Sequence, residues 1–265
     1  MRTAVAIACV LLIAPPAAAQ IAPSQSELRV YAGLHAAAAK GDAAEIERLV
    51  AAGQSLNAQD AHSRTPLHIA AHFGHQAAAQ ALLASGANPN ALDAQKYDIV
   101  TIAAVNNDVA MLKLALAGGT DPKAITSPYN GTALIAAAHL GHAEVVRVLI
   151  AAGAPLDHVN NLGWTALMES IVLGNGGRAH TDTLEALVKA GANLNIADRQ
   201  GVTPLAHASS RRYAEMVRIL EVRGRALKAL HAVSPSDNPT RRHRSLPRPG
   251  SSRPTRPAYS RNESP

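Results

Sequence analysis

The chain has 265 residues, of which 48% are hydrophobic but only 3% aromatic, and Ala alone occupies 56 positions. This composition excludes a core of large aromatic rings and favours short, closely packed helices, because Ala loses no side-chain entropy in a helix. The net charge of +6 lies at the ends, since residues 20–232 carry 17 basic and 17 acidic side chains, and such a neutral body argues against a nucleic-acid-binding domain.

The first 19 residues have the three parts of a secretory signal peptide. Arg2 gives a positive start, an apolar run covers residues 4–14, and three Ala residues at 17–19 supply a small-residue cleavage site. The run is too short for a transmembrane helix, which needs about 20 apolar residues. We therefore expect cleavage near Ala19 and a periplasmic or secreted chain. Because the single Cys, Cys9, precedes this site, the exported chain would hold no thiol.

The body of the chain, residues 20–232, is built from a repeated pattern. Its clearest copy reads Thr65-Pro66-Leu67-His68, then Ala70-Ala71, Gly74-His75, Ala81-Leu82-Leu83 and Gly86-Ala87-Asn88. Equivalent positions recur at residues 65, 98, 132, 165 and 203. These residues resemble the ankyrin repeat at its 33-residue period, and the resemblance covers about residues 28–224. With the leader, the chain resembles the small secreted ankyrin repeat proteins of Gram-negative bacteria.

The resemblance implies an all-α solenoid of about six helix-turn-helix repeats with short β-hairpin fingers. The expected repeats cover about residues 28–60, 61–93, 94–126, 127–160, 161–198 and 199–232. The first and last depart from the pattern and suit capping repeats: a helix-start signal stands at Ser26-Glu27, and Arg212 replaces the usual Gly. Repeat 5 has five extra residues within 174–182, which predict a longer turn between its helices.

The local chemistry of the motif explains its helices. Thr65 can cap a helix that begins at Pro66, where the missing N–H costs nothing, and Gly74 can end it in the left-handed conformation. In repeat 3, Asp98 replaces the Thr and Asn107 replaces the Gly. Since Asp also caps helices and Asn also tolerates the left-handed conformation, the same backbone is expected there.

Two patterns suggest chemistry, and we interpret both as structural. His68, His72 and His75 could together bind zinc, but the first and third are regular repeat positions. The glycine-rich loop at residues 174–178 lacks the preceding strand and the Lys-Ser/Thr pair of a phosphate-binding loop. We also find no nucleophile–base pattern. The sequence therefore predicts no catalytic residue, metal or cofactor.

In ankyrin repeats, partners are usually held by the fingers and by the concave face of the first helices. Carrying these positions over to this sequence predicts a protein-binding surface formed by Arg64, Ile69, His72, Phe73, Tyr97, Val105, Asn106, Tyr129, His139, Leu140, Trp164, Glu169, Leu173 and Arg211. Four of the seven aromatic residues belong to this surface, and aromatic anchors often dominate binding energy. The expected function is a non-catalytic protein-interaction module, acting as a monomer in the periplasm.

Residues 233–265 are rich in Pro, Ser and Arg, with seven Arg and two acids. Such a segment cannot bury enough apolar surface to offset its ordering entropy, so we expect a disordered basic tail. It could make weak contact with an anionic surface. Two alternatives to the binding module stay open: an enzyme or enzyme subunit that uses His72 and His139, and an envelope-associated structural protein recruited by this tail.

Overall fold

The computed structural model describes residues 22–232, which form thirteen α-helices and no β-strand. The expected signal peptide and basic tail lie outside these described residues. Among the helices of the described part, none is long and apolar enough to cross a membrane. The compact unit of repeats ends at Ala226.

The helices alternate between two layers. A short helix, α1 (Gln25–Val30), precedes six pairs. The first helices of the pairs are α2 (Gly33–Lys40), α4 (Pro66–His72), α6 (Ile99–Val105), α8 (Ala133–Leu140), α10 (Ala166–Val172) and α12 (Pro204–Ser210). The second helices are α3 (Ala43–Ala51), α5 (Gln76–Ala84), α7 (Val109–Ala117), α9 (Ala143–Ala151), α11 (Arg178–Ala190) and α13 (Ala214–Ala232). Each first helix packs on the next first helix, and α3 to α11 pack in the same order. This is the predicted all-α solenoid.

The predicted helix starts are confirmed by their caps. Thr65 Oγ1 accepts a hydrogen bond from the backbone N–H of His68, and Pro66 is the first helical residue. In repeat 3, Asp98 Oδ1 accepts from Thr101 N at 2.8 Å. Asn107 has a φ of 55° and Arg212 a φ of 59°, so both take the left-handed conformation that Gly74 takes in repeat 2. The backbone pattern thus survives both substitutions.

Small apolar residues fill the space between the layers. The motif Leu is fully buried in repeats 2 and 4, at Leu67 and Leu134, and Ala70 and Ala71 beside the former are also fully buried. In the last repeat, by contrast, Leu205 is 36% exposed. Burial of the same stripe therefore fades at the final repeat, as expected of a terminal cap.

Three local predictions need correction. The cap of α1 is Ser24 rather than Ser26, because Glu27 lies three residues after Ser24 and its carboxylate accepts from Ser24 N at 2.7 Å. The fingers are hydrogen-bonded turns rather than strands, since each is too short to form a ladder. The extra residues of repeat 5 lengthen the helix as well as the turn, so that α11 has 13 residues where α5, α7 and α9 have nine.

Candidate binding surface

The fingers are five turns that connect successive repeats, at residues 60–64, 93–97, 126–131, 160–164 and 198–202. In each, the first residue donates its backbone N–H to the carbonyl of the last, at 2.9–3.0 Å. Neighbouring fingers are also joined, because Ala94 N donates to His62 O and Asn161 N donates to Tyr129 O, both at 2.9 Å. The fingers therefore form a defined edge and not a set of loose loops.

Aspartates hold three of these turns from inside. Asp60 Oδ1 accepts from the backbone N–H of His62 and of Arg64, at 2.8 and 2.9 Å, and Asp93 and Asp198 accept in the same way in their fingers. Burial alone would raise the pKa of Asp60, but hydrogen bonds from Tyr31, Arg64 and His62 lower it to about 2. The carboxylate of Asp60 is therefore an ionised part of its turn.

Four of the predicted contact residues are buried, and the structure assigns them to packing. Ile69 is fully buried and Tyr97 is 6% exposed. Arg64 is 1% exposed, because α1 covers it and supplies Glu27 as an ion partner. Glu169 is 3% exposed, with one carboxylate oxygen accepting from Asn160 Nδ2 at 2.8 Å. None of these four side chains is accessible to a partner.

The other ten predicted residues remain accessible in part or in full. They lie in two places, the fingers and the C-terminal ends of the first helices: Tyr129 and Trp164 belong to the former, and His72, Phe73, Val105, Asn106, His139, Leu140, Leu173 and Arg211 to the latter. The most exposed apolar side chain among them is Leu140, at 39%. Ten of the fourteen predicted residues are thus accessible, and their role in binding stays a prediction.

Two of the three histidines that have zinc-like spacing, His68 and His75, have structural partners. His68 Nδ1 lies 2.8 Å from Thr65 Oγ1, and its Nε2 donates to Tyr97 O at 3.2 Å. His75 Nε2 donates to Ala39 O, at the end of the preceding first helix, at 3.1 Å. Throughout residues 22–232, no group of three or more His, Cys, Asp or Glu residues is arranged to hold a metal ion.

The histidine after the helix-ending glycine ties successive repeats together. His142 Nδ1 donates to Ala104 O at 2.9 Å. Two repeats earlier, His75 donates in the same way to Ala39 O. In repeat 5 the insertion displaces this position, and His180 in the first turn of α11 donates to His139 O at 3.0 Å instead. These bonds satisfy carbonyls that a helix end would leave unpaired. The repeat motif predicted no role for His180, because this residue lies outside the repeated positions.

His72 differs from its neighbours because its Nε2 is buried and has no hydrogen-bond partner among the described residues. Burial, helped by the nearby His68 and Arg64, lowers the pKa of His72 to about 4. The imidazole is therefore neutral at physiological pH. It contributes an apolar ring with a polar atom to the first-helix face.

Two histidine–carboxylate pairs lie within repeats 4 to 6. His139 Nδ1, in repeat 4, donates to Glu169 Oε2 in repeat 5 at 3.2 Å. His207 Nε2, in repeat 6, donates to Asp198 Oδ2 at 2.7 Å, while its Nδ1 lies 3.0 Å from Arg211 Nη1. Each ring is thereby held in one orientation beside a buried carboxylate.

Sequence reasoning missed a row of aliphatic side chains on the fingers, which we call the finger stripe: Leu92, Ile125, Val159 and Leu162. They are 41%, 48%, 40% and 40% exposed. The first three each precede a finger by one residue and recur at 33 and 34 residues, which is the repeat period. The repeat period could have identified these positions, but the contact positions carried over from the family lie nearer the motif Leu.

Comparisons with known proteins agree with this geometry. A sequence profile for ankyrin repeats in three copies matches residues 7–93 and 100–198, and one for many copies matches residues 177–221. The putative ankyrin repeat protein YahD of Escherichia coli K12 is 33% identical over 97 residues, which are 36% of this chain. The match spans about half (48%) of that relative's length.

Solved structures share the fold. A crystal structure of an ankyrin repeat domain from Acinetobacter baumannii AYE is 43% identical, with a TM-score of 0.69 over 72% of this chain and 97% of that one. The ankyrin repeat domain of Bcl-3, from the IkappaB protein family, is 28% identical, with a TM-score of 0.67 over 74% and 87% of the two chains. The repeats, their caps and these matches together show that the chain belongs to the ankyrin repeat family.

Proposed function

We propose that this chain is a non-catalytic protein-binding module whose partner contacts the fingers and the ends of the first helices. Ankyrin repeat domains are in general protein–protein interaction modules. The finger stripe is the observation that carries the proposal for this chain. Single exposed apolar side chains are common, but aliphatic side chains that are at least 40% exposed at equivalent positions of three successive repeats form a patch suited to an interface.

Partly exposed rings extend this surface. Tyr129 and Trp164 lie in the fingers on either side of Val159, and Phe73, Leu140 and Leu173 end the first helices of repeats 2, 4 and 5. Aromatic and aliphatic anchors in a scaffold that is already ordered bind with little loss of conformational entropy. The packed caps and inter-finger bonds described above supply that order.

The alternative of an enzyme rests on the first-helix histidines. His35 and His68 donate to backbone carbonyls, whereas His207 pairs with Asp198 and His139 pairs with Glu169. Such a pair can orient an imidazole for acid–base chemistry. The hydroxyl of Ser170, next to Glu169 in sequence, is however fully buried and donates to Leu167 O at 2.8 Å. We therefore favour binding over catalysis.

Replacing three of the four finger-stripe residues should abolish partner capture without unfolding the chain. The variant is Leu92→Ser, Ile125→Ser and Val159→Ser, used as bait for an extract of the source cells with mass-spectrometric identification. Because these side chains are at least 40% exposed, their loss removes little core packing, and the urea midpoint should change little.

The matched control replaces three exposed aliphatic residues outside the fingers, Val30, Leu205 and Val222, by Ser. We expect one protein to be retained by the wild type and by this control, and lost by the finger variant. Retention of every captured protein by the finger variant, or loss by the control, would contradict the proposed surface.

We also propose that the chain is exported, on the support of the three-part leader in residues 1–19. In that case the intact mass of protein recovered from the periplasmic fraction should correspond to a chain beginning at Gln20. A change of Leu12→Arg within the apolar run should retain the uncleaved chain in the cytoplasm. Uncleaved wild type in the cytoplasm would refute export. Contact of residues 233–265 with an anionic surface stays a prediction.

A further inference from the structure

The charged side chains of the fingers and first helices divide sharply by burial. The carboxylates face inward: none is more than 8% exposed in the set Asp60, Asp93, Asp98, Glu169 and Asp198. The cations face outward, since Lys40, Lys96 and Arg199 are exposed and Arg211 is half-buried, with Arg64 as the one buried exception. The accessible charged side chains of the fingers and first helices are therefore cations, although residues 20–232 are neutral in sum.

The inward carboxylates are held in place by the hydrogen bonds that they accept from backbone N–H groups. Asp93 Oδ1 accepts from Gln95 N and Tyr97 N at 2.8 and 2.9 Å, and Asp98 caps α6. Turning the Asp93 carboxylate outward would break both of these hydrogen bonds to backbone N–H groups, which is costly where the N–H is buried. These acids cannot be recruited to neutralise the exposed cations.

The second helices show the opposite arrangement. Several of their exposed charges pair within the same helix, as Arg48 does with Glu45 at 2.7 Å and Lys189 with Glu185 at 2.9 Å. In the second and fifth fingers, by contrast, the exposed cations Lys96 and Arg199 have no exposed acid beside them in the same turn.

We propose that the partner presents carboxylates together with aliphatic side chains, so that the fingers recognise an acidic, leucine-rich type of protein segment. This inference rests on the proposed function. Aliphatic side chains of the partner would cover the finger stripe, and its carboxylates would pair with Lys96 and Arg199, which belong to the second and fifth fingers. A nucleic acid fits less well, because the stripe is aliphatic and offers no ring for base stacking.

The test is a selection from a phage-displayed library of random peptides on the full mature chain. We expect enrichment of peptides that combine Asp or Glu with Leu, Ile or Val. Against Lys96→Glu with Arg199→Glu, the enrichment of acidic residues should disappear, and a selected peptide should bind roughly tenfold more weakly. Its binding to the wild type should also weaken as salt concentration rises.

The control reverses two cations of the second helices, Lys113→Glu with Arg147→Glu, and should leave selection unchanged; residues 233–265 are common to all three chains. Enriched peptides that are neutral or basic would overturn the inference while leaving the proposed function intact. Failure to enrich any peptide over the finger-stripe variant would overturn both. A labelled single-stranded oligonucleotide whose binding also falls roughly tenfold with Lys96→Glu and Arg199→Glu would identify the wrong class of partner.

Discussion

Replacement of Arg64 by Ala should lower the free energy of unfolding by about 3–5 kcal/mol, because it leaves buried charges without their partner. Arg64 Nε donates to Asp60 Oδ2 at 2.7 Å, and its Nη2 also binds Glu27 and donates to Tyr31 Oη at 3.0 Å. Through these contacts α1 is attached to the first finger. Urea unfolding of the full chain, followed by circular dichroism, measures the loss.

The matched control is Arg48→Ala, which removes a cation from an exposed pair with Glu45. Exposed pairs contribute little, so this variant should keep the wild-type midpoint. If the two variants unfold at the same urea concentration, the buried network does not stabilise the N-terminal repeat.

The cost of Arg64→Ala should depend on pH through Asp60. The pKa of Asp60 is about 2 in the folded chain and about 4 in an unfolded one. A depressed carboxyl pKa contributes stability above the unfolded pKa, and this contribution is lost as pH falls through the folded pKa. Without Arg64 the folded pKa should rise toward 4. The difference between wild type and variant should therefore be full above pH 4 and narrow towards pH 2.

The local parts of the fold could be predicted from the sequence because their causes are local. A helix start needs one capping side chain, so Thr65 and Asp98 could be placed without knowing what packs around them. The same holds for Asn107 and Arg212, where the chain must turn left-handed after a first helix. The 33-residue period then fixes which helices are neighbours.

The burial of the candidate site residues could not be predicted in this way. Arg64 occupies a finger position that repeat geometry alone leaves open, and it is buried because Glu27 and Tyr31, more than 30 residues earlier, fold over it. Glu169, in repeat 5, is buried through contacts with Asn160 and His139, which both belong to repeat 4. Each case depends on contacts between repeats, which a position-by-position reading of one repeat does not contain.

Charge shows the same limit. The sequence count of 17 acids and 17 bases in residues 20–232 correctly gives a neutral body, but it does not say which charges reach solvent. In the fingers, Asp60, Asp93 and Asp198 accept backbone hydrogen bonds inside the turns, whereas the side chains of Lys96 and Arg199 are exposed. A partner therefore meets a positive edge that the net charge conceals, and it is this edge that gives the proposed interaction its chemical preference.

Replacement of Leu67 by Ala should cost about 2–5 kcal/mol, since the side chain is fully buried and the surrounding helices can close the cavity only in part. Its helix, α4, packs between α2 and α6, so the loss should spread to the repeats on both sides. Urea unfolding measures the total. Hydrogen exchange should become faster in α2, α4 and α6 and change little in α10.

The chain contains its own control for this prediction, because Leu205 holds the same motif position in the final repeat but is 36% exposed. Leu205→Ala leaves a smaller cavity and removes less buried apolar surface, so it should lower the free energy of unfolding much less. Similar losses for the two variants would contradict burial as the source of the effect, since only Leu67 is fully buried and Ala is the better helix former at both sites. A large difference ties the stability of the solenoid to the packing of its interior repeats, which is what holds the fingers in line.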